Sequence, residues 1–189
     1  MTTGSVSPRR ADTRRNNERI IAAAKDLLTC DEGLAYNAIA KKADVGVGTV
    51  YRHFPTPESL VIAVYQSEVR SLVDVVPTLL DENSPEEAFR TWTGHFAAYM
   101  MTKRGLGPAL HAATRNNEED LLGQAFEAML NAVTTLVNAN VEAGRARKDL
   151  NPKTVLRVLG CTMLLDQSGD WKAEAEEVFD LLWKGLRAT

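Results

Sequence analysis

The sequence is short of cysteine, histidine and aromatic residues, and it contains no long apolar run. Its two cysteines, Cys30 and Cys161, lie far apart in apolar helical context, which argues against a disulfide framework. Two cysteines and three histidines offer no spacing suited to zinc, so neither a metal nor a cofactor is expected. No stretch approaches the ~18 apolar residues that a membrane-spanning helix needs. The arginine-bearing N-terminus lacks the apolar core of a secretory signal. A cytoplasmic protein without a membrane partner is the expectation. Nucleophile motifs and phosphate-cradling loops are missing as well. Gly105-Leu106-Gly107 is too short for such a loop, and Glu118-Glu119-Asp120 reads as charge at a helix start. Together these absences speak against an enzyme.

What is present is ordinary in amount and uneven in placement. Apolar residues make up 44% and charged residues 25%, values typical of a globular domain. The net charge of −3 divides into +2 over residues 1–60 and −5 over the remainder. Arg9, Arg10, Arg14, Arg15 and Arg19 face only Asp12 and Glu18 in the first 20 residues. A basic front on an acidic body suits a protein that presents one end to a polyanion, although a solvated arginine tail fits the charge equally well.

Helical periodicity runs from Asn16 almost to the end, without sustained strand alternation. Residues 1–14 are polar and aperiodic and read as a basic arm. Ile20, Ile21, Ala24, Leu27 and Leu28 form a first apolar stripe that stops near Gly33. Two short pieces follow, Tyr36–Ala43 and Val47–Phe54, and Pro55 ends the second. Thr56 then caps a long helix with Pro57 in its first turn. Ser84-Pro85-Glu86-Glu87 has the pattern of a capping box, and Asn151-Pro152 repeats the cap-then-proline device. Breaks are expected at 81–83, 105–108, near Gly144 and around 168–170, giving an all-α chain of about nine helices. The expected division is an arm (1–14), a head of short helices (15–60) and a helical body (61–189).

The two short pieces, joined by Asp44-Val45-Gly46 and backed by the first helix, have the form of a helix-turn-helix. In that motif the first short helix buttresses the second, whose leading half enters the major groove. Such corners also occur in helical proteins that bind no DNA. The residues themselves are more specific. The run IAKKADVGVGTVYRHFPTPESL, Ile39 to Leu60, resembles the DNA-binding signature of the TetR (tetracycline-repressor-like) family, most closely at Gly48–Phe54. The Gly-Val-Gly-Thr variant and the segment Thr102–Leu106 look most like its SbtR-type branch.

The resemblance implies a recognition helix at about Val47–His53. Gly46 and Gly48 would admit the backbone close to DNA, Thr49 and Arg52 would read base edges, and Tyr51 and His53 would hold phosphates. Phe54 would be core, and Tyr51 could also be a packing residue. Asp44 stands where relatives have glycine, Ala35 where they have a capping Ser or Thr, and Pro57 where a basic residue is common. Phosphate contacts would then fall on Arg14, Arg15, Lys41 and Lys42, which equally fit solvated surface charge.

In the body, Phe89, Trp92, Phe96 and Met100 share one helix face, with His95 and Tyr99 adjoining. Trp92, His95, Phe96, Tyr99, His111, Phe126, Met129 and Met163 are the candidate lining of a small-molecule pocket; a plain core explains the same stripe. Val155, Leu159, Gly160, Met163, Phe179, Leu182 and Leu186 look too many for one monomer to bury, which favours a homodimer through the last two helices. The expected function is a repressor that leaves a near-palindromic double-stranded operator when an unknown small-molecule effector binds, with the fourth helix as lever. The alternatives are a ligand-independent dimeric DNA-binding or architectural protein and a small helical enzyme.

Overall fold

The computed structural model describes residues 8–29, 34–114, 118–166 and 168–188, and there every regular element is a helix. Eight α-helices and one 3-10 helix are seen among the described residues: α1 Pro8–Thr29, α2 Tyr36–Ala43, α3 Val47–His53, α4 Pro57–Glu82, α5 Pro85–Ala113, α6 Glu118–Glu142, α7 Pro152–Leu159, the 3-10 helix Gly160–Leu164, and α8 Trp171–Leu186. The expected all-α class holds. Two compact units are formed, one by the described residues up to Ser67 with those of 105–114, the other by Glu68–Arg104 with those from 118 onward.

In the first unit, α1 presents Ile20, Ile21, Ala24 and Leu27 as a buried stripe, Ile39, Ala40 and Ala43 come from α2, and Val50 and Phe54 come from α3 and its end. Leu60, Val61 and Val64 of α4 complete the buried set with Leu106 and Leu110 of α5. Helix α1 begins at Pro8, well ahead of Asn16, so Arg14 stands on a helix, with Arg15 next to it, and not on an aperiodic arm. Proline suits a first helical position, and ion pairs Arg14–Glu18 and Arg15–Asp12 stitch successive turns. Residues 1–7, and the expected stop at Gly33, lie outside the described residues.

In the second unit, Trp92 is fully buried and its Nε1 donates to the Leu72 carbonyl at 2.8 Å, joining α5 to α4. Asn140 Nδ2 donates to the Pro85 carbonyl at 2.7 Å, and Gly144, with φ 68°, turns the chain after α6. A short antiparallel bridge between Ala146 and Arg187 ties that turn to the end of α8. The caps appear where expected: Glu87 N–H donates to Ser84 Oγ, Ser84 N–H to Glu87 Oε2, and Lys153 and Thr154 N–H to Asn151 Oδ1.

Two breaks differ from expectation. Helix α5 runs unbroken through Gly105–Pro108. A proline inside a helix costs ~3 kcal/mol. Leu106 and Leu110, one turn apart and both buried, return ~1.5–3 kcal/mol each only if the helix continues. Helix α7 instead ends at Leu159, and the chain tightens into the 3-10 helix. Arg104 Nη1 holds the end of that segment, donating to the Met163 and Leu165 carbonyls at 3.3 and 2.7 Å.

Candidate nucleic-acid interface

Helix α3 has one sealed side and one open side, as 3.6 residues per turn dictates for so short a segment. Val50 is fully buried, and Phe54 sits in the core as expected. Val47 is 40% and Tyr51 56% exposed, and Gly48 and Arg52 lie on the open side with them. Thr49 and His53 are half-buried at its margins. Arg52 folds back along its own helix, Nε donating to the Gly48 carbonyl at 3.1 Å and Nη2 to Thr49 Oγ1 at 3.0 Å. These exposed internal bonds exchange readily for water or another acceptor. A Cβ at Gly48 would meet nothing within 4 Å, so nothing inside the chain demands glycine there.

The turn before α3 explains the departure at Asp44. Its φ of 51° is left-handed, a region Asp tolerates better than most residues but less well than Gly. Arg19 of α1 reaches this turn, with Nη2 2.9 Å from Asp44 Oδ2 and 3.3 Å from its carbonyl oxygen. Ala35 does occupy the N-cap of α2 and supplies no side-chain bond.

The basic candidates are exposed and mostly paired. Arg14 lies 3.4 Å from Glu18, Arg15 is bonded to Asp12, and Lys42 Nζ is 3.1 Å from Asp26. Exposed pairs of this kind are worth about 0–1 kcal/mol, so an incoming phosphate can displace the acid. Lys41 is exposed at the end of α2. One contributor escaped the sequence reading: Tyr36, whose buried hydroxyl donates to the Phe54 carbonyl at 2.8 Å and whose ring lies 4.7 Å from that of Tyr51. No local sequence signal marks it, because its partners Tyr51 and Phe54 lie fifteen and eighteen residues further along the chain.

The candidate pocket residues separate into two groups. Trp92, Phe96, Tyr99 and Met129 are buried, with Trp92 stacked on Phe96 at 5.4 Å and Phe96 5.9 Å from Tyr99. His95 is exposed, turned about 100° around α5 from Phe96, so it does not join them. His111 is also exposed and falls in the first unit, away from the body grouping expected for it. Phe126 is half-buried beneath Lys153 Nζ at 5.8 Å, and Met163 is half-buried in the 3-10 helix.

The dimer residues need the larger correction. Val155, Leu159, Phe179 and Leu186 are buried within the monomer, where α7 and α8 turn them toward the body's own core. Their number is therefore no surplus. Gly160, Met163 and Leu182 are half-buried. The apolar side chains left in solvent are their neighbours: Val158 at 40%, Leu181 at 74% and Leu164 at 84% exposed. Leu181, Leu182 and Val158 line an open groove of about 490 Å³ along α7 and α8.

Comparison with known proteins bears on both units. Residues 20–64 match the family described as bacterial regulatory proteins, tetR family, and residues 84–188 match the SbtR-like C-terminal domain of transcriptional regulators. The crystal structure of a TetR transcriptional regulator from Streptomyces coelicolor is similar over 92% of this chain and 99% of its own, at 38% identity and a TM-score of 0.84. That of a TetR transcription regulatory protein from Mycobacterium vanbaalenii is similar over 96% and 100%, at 31% identity and a TM-score of 0.79. An HTH-type transcriptional regulator of Staphylococcus aureus is 33% identical over 79 residues, 40% of this chain and 41% of that protein. The match thus spans about two fifths of that curated relative's length.

Proposed function

The chain belongs to the TetR family of bacterial regulatory proteins, with an SbtR-like C-terminal domain, and from this premise we propose that it is a sequence-specific transcriptional repressor. It acts in the cytoplasm as a homodimer and leaves a near-palindromic operator when a small molecule binds its body; it is not an enzyme. The observation that carries this reading is the division of α3 into a sealed side, Val50, and an open side, Val47, Gly48, Tyr51 and Arg52. An open side bearing a guanidinium, a phenol and a bare backbone suits the edges and phosphates of a major groove.

Two copies related by a two-fold axis present two such helices to half-sites about one turn, ~34–36 Å, apart. The exposed Val158, Leu164 and Leu181 support pairing through the last helices. The effector shifts the equilibrium only by its differential affinity for the bound and released forms, commonly ~1–3 kcal/mol. Helix α4, unbroken from Pro57 to Glu82, is the connection through which it would act. A ligand-independent DNA-binding protein is the second reading, favoured by the burial of Trp92, Phe96, Tyr99 and Met129, which a plain core explains as well.

Selection from a random-sequence duplex pool with the full chain tests the proposal. Enrichment of a near-palindrome is expected, and recovery of no common sequence would overturn it. A screen of small molecules for release of that duplex then separates the two readings.

A further inference from the structure

Helices α2 and α3 are joined at one end by the turn at Asp44–Gly46, where the Val45 N–H donates to the Ala40 carbonyl at 3.0 Å. Along their length Ile39, Ala40, Ala43, Val50 and Phe54 are buried in one core. The far ends, the start of α2 and the close of α3, carry a tie of their own. Pro55 stops α3 after Phe54 and has no N–H to give. The Phe54 carbonyl, past the last helical residue, takes its hydrogen bond from the Tyr36 hydroxyl, 2.8 Å away and buried. The same phenol ring stands 4.7 Å from that of the exposed Tyr51, with the planes at 51°. One side chain thus touches both the end of the reading helix and a residue on its open face.

We propose that Tyr36 is a positioning residue for DNA reading: its bond to Phe54 anchors its ring at the end of α3, and the ring so anchored aims Tyr51, without contact to DNA of its own. The inference rests on α3 being the DNA-contacting element. Burial, reinforced by Tyr51 and Glu58, pushes the Tyr36 phenol above its ordinary range. The group therefore stays neutral and keeps its proton to donate at the pH of any binding measurement. Phenylalanine at this position keeps the ring and removes the tie.

The test is a double-substitution cycle on the full chain with Tyr36→Phe, Tyr51→Ala and both together, titrated by fluorescence anisotropy against the duplex selected by the wild type. Tyr36→Phe is expected to weaken binding about three- to tenfold, the scale of one lost hydrogen bond. With Tyr51→Ala already present, the same change is expected to cost less than about twofold, because the aimed group is gone. Wild-type affinity in Tyr36→Phe, or an equal loss in both backgrounds, would overturn the inference. Circular dichroism at the assay temperature adds a second check: loss of helicity in Tyr36→Phe would assign the residue to packing alone and also count against it. Failure of the wild type to select any duplex would instead bring down the proposed function.

Discussion

Replacing Leu181 with arginine tests the pairing of two chains at an exposed leucine of α8. Leu181 lies on α8 with 74% of its surface in solvent, beside the groove bordered by Val158 and Leu182. Full burial of a leucine is worth ~1.5–3 kcal/mol, so covering this exposed part contributes about 1–2 kcal/mol. A two-fold axis counts each contact twice, which brings the pair to about 2–4 kcal/mol. Arginine removes that gain and sets two like charges in the same interface, so the dimer Kd should rise by at least roughly a hundredfold. The monomer's fold should survive, because the side chain touches little of its own core, and helicity should match the wild type. Sedimentation velocity over a range of protein concentrations reads the result. A wild type that is monomeric at micromolar concentration, or a Leu181→Arg chain that sediments as the wild-type dimer, would refute the reasoning.

Four other substitutions probe the head and the caps. Gly48→Ala should stabilise the chain by at most about 0.5 kcal/mol, because glycine is a poor helix former even in the first turn of α3 and a Cβ there meets nothing, yet weaken duplex binding. Thermal melts and anisotropy titrations check the two halves separately. Asp44→Ala, which keeps the left-handed φ and loses Arg19, should cost about 1–2 kcal/mol, whereas Asp44→Gly should fall within about 0.5 kcal/mol of wild type. Equal losses in chemical denaturation would show that backbone strain is not the deciding factor. Hydrogen bonds from the Ser84 hydroxyl and then the Ser84 N–H hold the Glu87 carboxyl below its ordinary value of 4.5. A depressed folded-state pKa means stability present above the unfolded value and lost as pH falls through the folded one. The Tm gap between wild type and Glu87→Gln should therefore be steady at neutral pH and close in acid.

Three helix starts were legible because their signals are local, whereas that of α1 at Pro8 was not. Ser84 with Glu87, Thr56 with Pro57, and Asn151 with Pro152 act within one turn, and each caps a helix as its spacing implied. The open face of α3 was legible too, since the spacing of Val50 and Phe54 fixes which residues turn outward. What the sequence concealed depends on partners distant in the chain. Continuity of α5 through Pro108 follows from the burial of Leu106 and Leu110, which no local rule reveals. Apolar count along α7 and α8 cannot tell a monomer core from an exposed face; that is why Leu159 and Phe179 were assigned outward while Leu181 and Leu164 passed unnoticed. His95 looked inward because it lies four residues before Tyr99, but it falls at the exposed margin of the α5 stripe, beside the exposed Gly94 and Ala98. Tyr36 gained its place through a contact with Phe54, eighteen residues later.

The most direct test of the account is the affinity of Arg52→Ala for the selected duplex and for variants changed one base pair at a time. If the open face of α3 reads bases, this substitution should weaken binding by ~1–3 kcal/mol per contacted half-site and abolish discrimination at one base pair in each half-site. Full affinity with every base preference intact would contradict it.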